Sequence, residues 1–329
     1  MAGERQWLRY CRLTVTQEGE NPMEIDLSGL RVRFHVSQAT AARPCTAEIS
    51  VYNVSDAVVN AIRNPTRNFL KRSFVTVTLE AGYQEKHAVV FKGDLWWKSV
   101  GVESETDTFL RLIAATGDRA HQNAFTSASI PKGASPKDVV KTVTDTMDSY
   151  GVKLVVAPEY PETKLLRGKT IYKMSRDALQ DAADANGFTW AYTDRGIVAI
   201  AKDGAIKEYD RVIVLDASSG LLERPEITVD GLKLRALLNP ELEWGRLVQI
   251  KSSIQRPDFS TEVSESAVEI NRTANGGTLD ADGVYIIKSR EFVGDTRGDD
   301  WYVDLLCIAY NTEAAPISQT PYTTIPNVK

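Results

Sequence analysis

The sequence predicts an α+β fold in which two related β-barrels enclose a small α/β domain. Three observations predict it. Strand patterns fill the first 120 residues and return after residue 210, helical periodicity with clear caps is concentrated between them, and an ordered set of strand patterns in the first half recurs in the second. A chain of 329 residues exceeds the usual single-domain size. The changes in character divide it into residues 1–120, 121–206 and 207–329.

From 30 to 36, LRVRFHV alternates Leu30, Val32, Phe34 and Val36 with Arg31, Arg33 and His35, the period-two signature of a half-buried strand with His35 on its polar face. Ala47-Glu48-Ile49-Ser50-Val51 alternates likewise after the turn-prone stretch around Pro44, and the two predict a strand pair. YNVSDAVVNAIRNP predicts a short helix with Ser55 as cap, an apolar face of Val58, Val59 and Ile62, and Pro65 as terminator. FVTVTLEAGY, AVVFKGDLWW and DTFLRLIAATGD have β-branched or aromatic content with Gly or Asp at their ends, and predict three more strands.

Near residue 130 the pattern becomes helical. Ser135 can cap a helix with Pro136 at its first position, and Val139, Val140, Val143 and Met147 share one face before Gly151 ends it. VKLVVAP and KTIYKMS read as strands. A second helix, capped by Ser175, turns Leu179, Ala182 and Ala183 inward and stops at Gly187. FTWAYT and IVAIAK form a hairpin about Asp194-Arg195-Gly196. Beyond 210, RVIVLD, EITVDGLKLRALL, RLVQIKSS, GVYIIKSREFV and WYVDLLCIAY return to strand patterns. The order VTVTLEAG, VVFKGDLWW, GVESETD, TFLRLIAA in the first half recurs as RLVQIKSS, GVYIIKSREFV, GDTRGDD, WYVDLLCIA. The correspondence is one of pattern, with few identities, and it is why the two β halves are read as related barrels.

Composition narrows the function. No apolar run reaches the ~20 residues needed to cross a bilayer, so no membrane-spanning segment is expected. Charges in MAGERQWLRYCRLTV interrupt the apolar stretch of a signal peptide, and synthesis in a cytosol is expected. Three cysteines, Cys11, Cys45 and Cys307, cannot all pair within one chain; Cys307, inside VDLLCIA, reads as core. A formal net charge of −5 argues against a protein that grips nucleic acid through a basic stripe.

Residues 294–301, GDTRGDDW, admit three readings: an adhesive Arg297-Gly298-Asp299, a metal loop using Asp295, Asp299 and Asp300, or a polar turn between strands. Nothing supports export to meet a receptor, and hard-cation loops supply more oxygens at fixed spacing. The stretch lies between two strand patterns, where GVESETD lies in the first half, so a hairpin turn with solvated carboxylates is expected. Gly168-Lys169-Thr170 would end a phosphate-binding loop only with a glycine where Thr163 stands. Asp280-Ala281-Asp282-Gly283 lacks the flanking acidic residues of a calcium loop and reads as a turn.

With His35, His87 and His121 as the only histidines, there is no H-E-x-x-H helix, and no G-x-S-x-G elbow exists. No catalytic, cofactor-binding or metal-ligating residue is assigned, and no cofactor is expected. One chemical alternative is a glycan-binding or glycan-cleaving protein using Trp96 or Trp97 with strand carboxylates. Adjacent strand residues face opposite sides, so one tryptophan is expected in the core and the other on the surface.

Taken together, RVRFHVSQATAARPCTAEISVYNVSD, LEAGY at 79–83, GLKLRALLNPELEWGRLVQI and EFVGDTRGDDWYVDLLCIAY resemble baseplate hub proteins of contractile-tailed bacteriophages. The likeness covers both β halves in order. It implies a non-enzymatic homotrimer whose protomers each place two similar barrels in a ring. Such a ring adapts the sixfold tail tube above to the threefold central spike below, contacts other baseplate proteins and lets genomic DNA pass without specific binding. It also implies a place in the virion's tail baseplate, after assembly in the host bacterial cytoplasm. An acidic balance fits DNA passage, because like charge resists sticking.

Overall fold

The computed structural model describes residues 8–18, 22–38, 42–63, 74–202, 204–207, 211–228, 230–251 and 283–310. Pro65, expected to end the first helix, and residues 280–282 of the expected Asp-Ala-Asp-Gly turn lie outside these residues.

Up to residue 115 the described residues form strands β1 (Arg9–Gln17), β2 (Met23–Asp26), β3 (Val32–Gln38), β4 (Thr46–Tyr52), β5 (Val75–Tyr83), β6 (Lys86–Val102) and β7 (Thr108–Ala115), and a short helix, α1 (Asp56–Ala61). The alternation in β3 is realised: Val32, Phe34 and Val36 are buried while Arg33 and His35 face outward. β3 and β4 pair antiparallel with His35 opposite Glu48, as expected. The order β3-β4-β7-β6-β5-β1-β2 is antiparallel throughout. α1 lays Val58 and Val59 against this core and buries Ile62, although the Ser55 side chain makes no capping bond.

The middle region contains α2 (Asp118–Asn123), β8 (Phe125–Ile130), α3 (Pro136–Asp148), β9 (Leu154–Val156), β10 (Lys169–Met174), α4 (Ser175–Asn186), β11 (Phe188–Thr193) and β12 (Gly196–Ala201). α3 begins with a reciprocal cap: the Ser135 hydroxyl accepts from Asp138 N, and the Asp138 carboxylate accepts from Ser135 N at 2.8 Å. Its Val139, Val140, Val143 and Met147 meet Leu179, Ala182 and Ala183 of α4 in a core of their own. The expected Ser175 cap is one residue out. Met174 holds the cap position, and the buried Ser175 hydroxyl instead bonds the hydroxyls of Thr126 at 2.8 Å and Thr146 at 2.7 Å. β11 and β12 form the expected hairpin. Gly196, at φ 137°, is required there because a Cβ would stand 2.4 Å from the Lys153 carbonyl oxygen.

The last part comprises β13 (Ile213–Leu215), β14 (Glu226–Thr228), β15 (Gly231–Leu237), β16 (Leu247–Ile250), β17 (Val284–Asp295) and β18 (Trp301–Ala309). EITVDGLKLRALL is therefore two strands, β14 and β15, folded back antiparallel at Asp230-Gly231, with Gly231 at φ 137°. Cys307 is fully buried in β18. β17 pairs with β18 on one side; on the other, its start pairs with β16 and its end with β3. That last seam, Arg290 to Asp295 against Gln38 to Arg33, merges the two β regions into one 13-stranded sheet.

The recurrence seen in the sequence is present in the pairing. β15-β18-β17-β16 repeats the order β4-β7-β6-β5. One extra residue interrupts each corresponding ladder, Trp96 between Leu95 and Trp97 in β6, and Lys288 between Ile287 and Ser289 in β17. The following turns close alike, Glu103 N donating to Asp107 O at 2.9 Å and Asp295 N to Asp300 O at 2.8 Å.

Candidate assembly surface

GDTRGDDW is the turn between β17 and β18, yet it differs from a solvated loop in one respect. Asp295 is buried, and its carboxylate accepts from Arg31 Nε at 3.1 Å, Arg31 Nη2 at 2.6 Å and Arg297 N at 2.9 Å. The expectation of solvated carboxylates thus fails for Asp295, whose partner lies 264 residues away in sequence. Burial raises its pKa, but the Arg31 bonds and the backbone N–H groups of Arg297 and Gly298 outweigh it, and the carboxyl ends below its usual range. The same bond raises Arg31. Arg9 ties the other side, donating to the carbonyls of Asp295 and Asp299 at 2.9 Å each and to that of Gly298, with its guanidinium over Trp301. Arg297 and Asp299 are exposed. Among the described residues no group of three or more His, Cys, Asp or Glu is placed to hold a metal ion.

The outward face of the merged sheet carries paired polar and charged side chains. Arg111 meets Glu48 at 3.1 Å, His35 meets Glu291 at 3.3 Å, and Arg235 holds Asp304 bidentately at 2.6 and 3.0 Å. A cleft between the first β region and the middle region is lined by Asp94, Arg119, Thr193 and Asp194. Both arginines that line it are committed: Arg119 pairs with Asp94 at 2.7 Å and Glu18 at 3.2 Å and stacks on Phe74, and Arg195 pairs with Glu243 at 2.9 Å. No cation on Arg119 is left to recruit an anionic ligand.

The tryptophans depart from expectation. Trp96 is 42% and Trp97 61% exposed, so neither is in the core. The reason is the bulge at Trp96, which breaks the alternation that would have turned one of them inward. Val100 and Val102 farther along β6 are 59% and 71% exposed. Past Asp94, β6 pairs only with β7; among the described residues no strand covers its other edge. Sequence patterning gave no hint of this edge, because it depends on where β5 begins relative to β6.

The large, mostly antiparallel sheet, with the end of β6 open on one side among the described residues, has the fold of phage tail proteins. The tail protein from Neisseria meningitidis MC58 shares it with a TM-score of 0.55 at 11% identity, covering 93% of this chain and 98% of that one. The 43 kDa tail protein of prophage MuSo2 from Shewanella oneidensis gives 0.51 at 10% identity over 90% and 96%. The E. coli c3393 protein gives 0.53 at 10% identity over 86% and 74%; it is a component of the type VI secretion system with structural similarity to T4 bacteriophage tail proteins gp27 and gp5. Curated protein sequences gave no match. Residues 11–257 match the family described as baseplate hub gp41, and the chain belongs to that family. It is a structural component of a phage tail baseplate.

Proposed function

We propose that three copies of the chain form a hub ring that joins a sixfold tail tube to a threefold central spike and leaves an axial passage for DNA. In this reading residues 1–120 and 207–329 are two barrels that stand in for two tube subunits, and residues 121–206 are a module appended to the ring. The observation that carries it is the repeated pairing order, with its matching bulges at Trp96 and Lys288. Three chains with two such units present six similar surfaces, which a twofold dimer cannot do. Family membership supports contact with tube, spike and other baseplate proteins, and the surface pairing of charges supports passage of DNA without a basic gripping stripe. The ring has no turnover of its own. Light scattering on the purified chain, and cryo-electron microscopy of assembled tails, test the reading. A stable dimer in the tail, or α3 and α4 lining the channel, would overturn it.

A further inference from the structure

The internal repeat locates the seam between neighbouring protomers. Superposing the two bulges sets Trp96 on Lys288, so that residues 98–103, the end of β6 and the first residue of its turn, correspond to β17 residues 290–295. The pairs Glu48–Ile113 and Lys233–Leu306 occupy equal places beside those bulges, which sets β4 on β15 and, one strand out, β3 on β14. Within the chain, the end of β17 pairs with β3. Its counterpart, the end of β6, pairs with nothing on that side among the described residues, and the counterpart of β3, the short β14, is itself an edge strand.

We propose, resting on the ring reading above, that the free edge of β6 pairs antiparallel with β14 of the next copy, repeating between chains the β17–β3 seam found within one. Transferring the register of β17 on β3 places Ser99 opposite Thr228, Val100 opposite Ile227, and Glu103 opposite Arg224 of the neighbour. The chemistry of the transferred pairs agrees. Val100 lies on the inner face beside Leu110, yet it is 59% exposed, whereas its counterpart Phe292 is fully buried against the strand that β6 lacks. The partly buried Ile227 would supply that missing cover. Glu103 and Arg224 are both exposed and of opposite charge, at the register position where Asp295 stands opposite Arg33 within the chain. Trp97 corresponds to Ser289, whose hydroxyl donates to Gln38 O at the end of β3, so Trp97 would lie over the end of the neighbour's β14. Pro225 has no N–H to give and limits the seam to a few residues. Unpaired, flat, apolar edges are a hazard that a folded protein covers, and a second copy covers this one.

Two chains, one Ser99→Cys and the other Thr228→Cys, are co-expressed and oxidised, both as purified protein and in assembled tails. Opposed residues in an antiparallel pair have Cα atoms about 4.5–5.5 Å apart, within disulfide reach. The expected product is a covalent pair containing one chain of each kind, with none when Lys233→Cys replaces Thr228→Cys. Val100→Asp, at a position exposed in the single chain, should leave the circular dichroism unchanged and raise the concentration for half-assembly by roughly tenfold or more. Glu103→Arg and Arg224→Glu should each weaken assembly, and together restore it. Trimers that form without the cross-link and tolerate Val100→Asp would overturn the seam and leave the ring reading standing. Tails containing no trimer would overturn both.

Discussion

Asp295→Asn should lower stability through one identifiable contact. The substitution keeps the shape of the side chain but removes the charge that Arg31 meets at 2.6 Å. Breaking a fully buried ion pair costs about 3–5 kcal/mol, and hydrogen bonds to charged groups contribute about 1.5–3. Here Asp295 is 6% exposed but Arg31 is 37% exposed, so water can recover part of the loss at Arg31. The expected cost is therefore about 2 kcal/mol, or a fall in melting temperature of roughly 4–8 °C for a cooperative unit of 150–250 residues. Calorimetry at neutral pH measures it, with Asp299→Ala as the control, because exposed turn carboxylates change stability by about 0.5 kcal/mol or less. The folded pKa of Asp295 is depressed, so its stabilisation is complete above the ordinary Asp value of about 3.9 and is lost as pH falls through the folded value. The gap between wild type and Asp295→Asn should accordingly narrow below about pH 4. An Asp299→Ala effect as large as that of Asp295→Asn, or a melting temperature that calcium raises and a chelator lowers, would refute this account of the turn.

Three other outcomes follow from local geometry. Gly298→Ala should cost about 1–3 kcal/mol by overpacking, since its Cβ would stand 2.7 Å from Asp295 Oδ2; urea titration measures this, and a neutral result would mean the turn gives way freely. Ser135→Ala should remove about 1 kcal/mol by opening the reciprocal cap of α3, read as faster amide exchange in its first turn. Burial pushes the Cys11 and Cys45 thiols up to about 12 and Cys307 higher still, so iodoacetamide at pH 8 should label none of the three in the folded chain and all three after unfolding.

What was legible in the sequence was whatever a single element decides for itself. The alternation of Val32, Phe34 and Val36 and the Ser135 cap are local, and both are present in the structure. The mostly β character and the recurrence of strand patterns were legible for the same reason. The misses come from partners distant in sequence. Trp96 and Trp97 are both exposed because a bulge interrupts the pairing of β6 with β7 there, and no local pattern encodes it. Ser175 turns its hydroxyl inward because Thr126 and Thr146, brought beside it by β8 and α3, accept or donate there. Gly298 does not have the positive φ that would have been the simple reason for a glycine; its need is room for the Asp295 carboxylate, fixed by Arg31. The β17–β3 seam joins residues more than 250 apart and could be read only once both strands were in place.

The two seams also explain why the repeats diverged where they did. Within the chain, β3 and β17 are tethered, so pairing incurs no loss of translational freedom, and polar contacts suffice to register it: Arg290 Nε on Gln38 Oε1 at 2.7 Å and Ser289 on the Gln38 carbonyl. Between chains, association costs an estimated 4–15 kcal/mol in lost freedom before any contact gains. Apolar burial is the non-directional term able to offset such a cost. The replacements run in that direction, with Trp96 and Trp97 on the β6 edge where β17 has Lys288 and Ser289, and Val102 where β17 has Gly294. Lys98, at the position of Arg290, turns instead to the carbonyls of Val59 and Ile62 at the end of α1 and so leaves the edge itself apolar. An edge shaped only for solvent would have diverged toward charge; this one diverged toward tryptophan and valine, as an edge that meets another chain must.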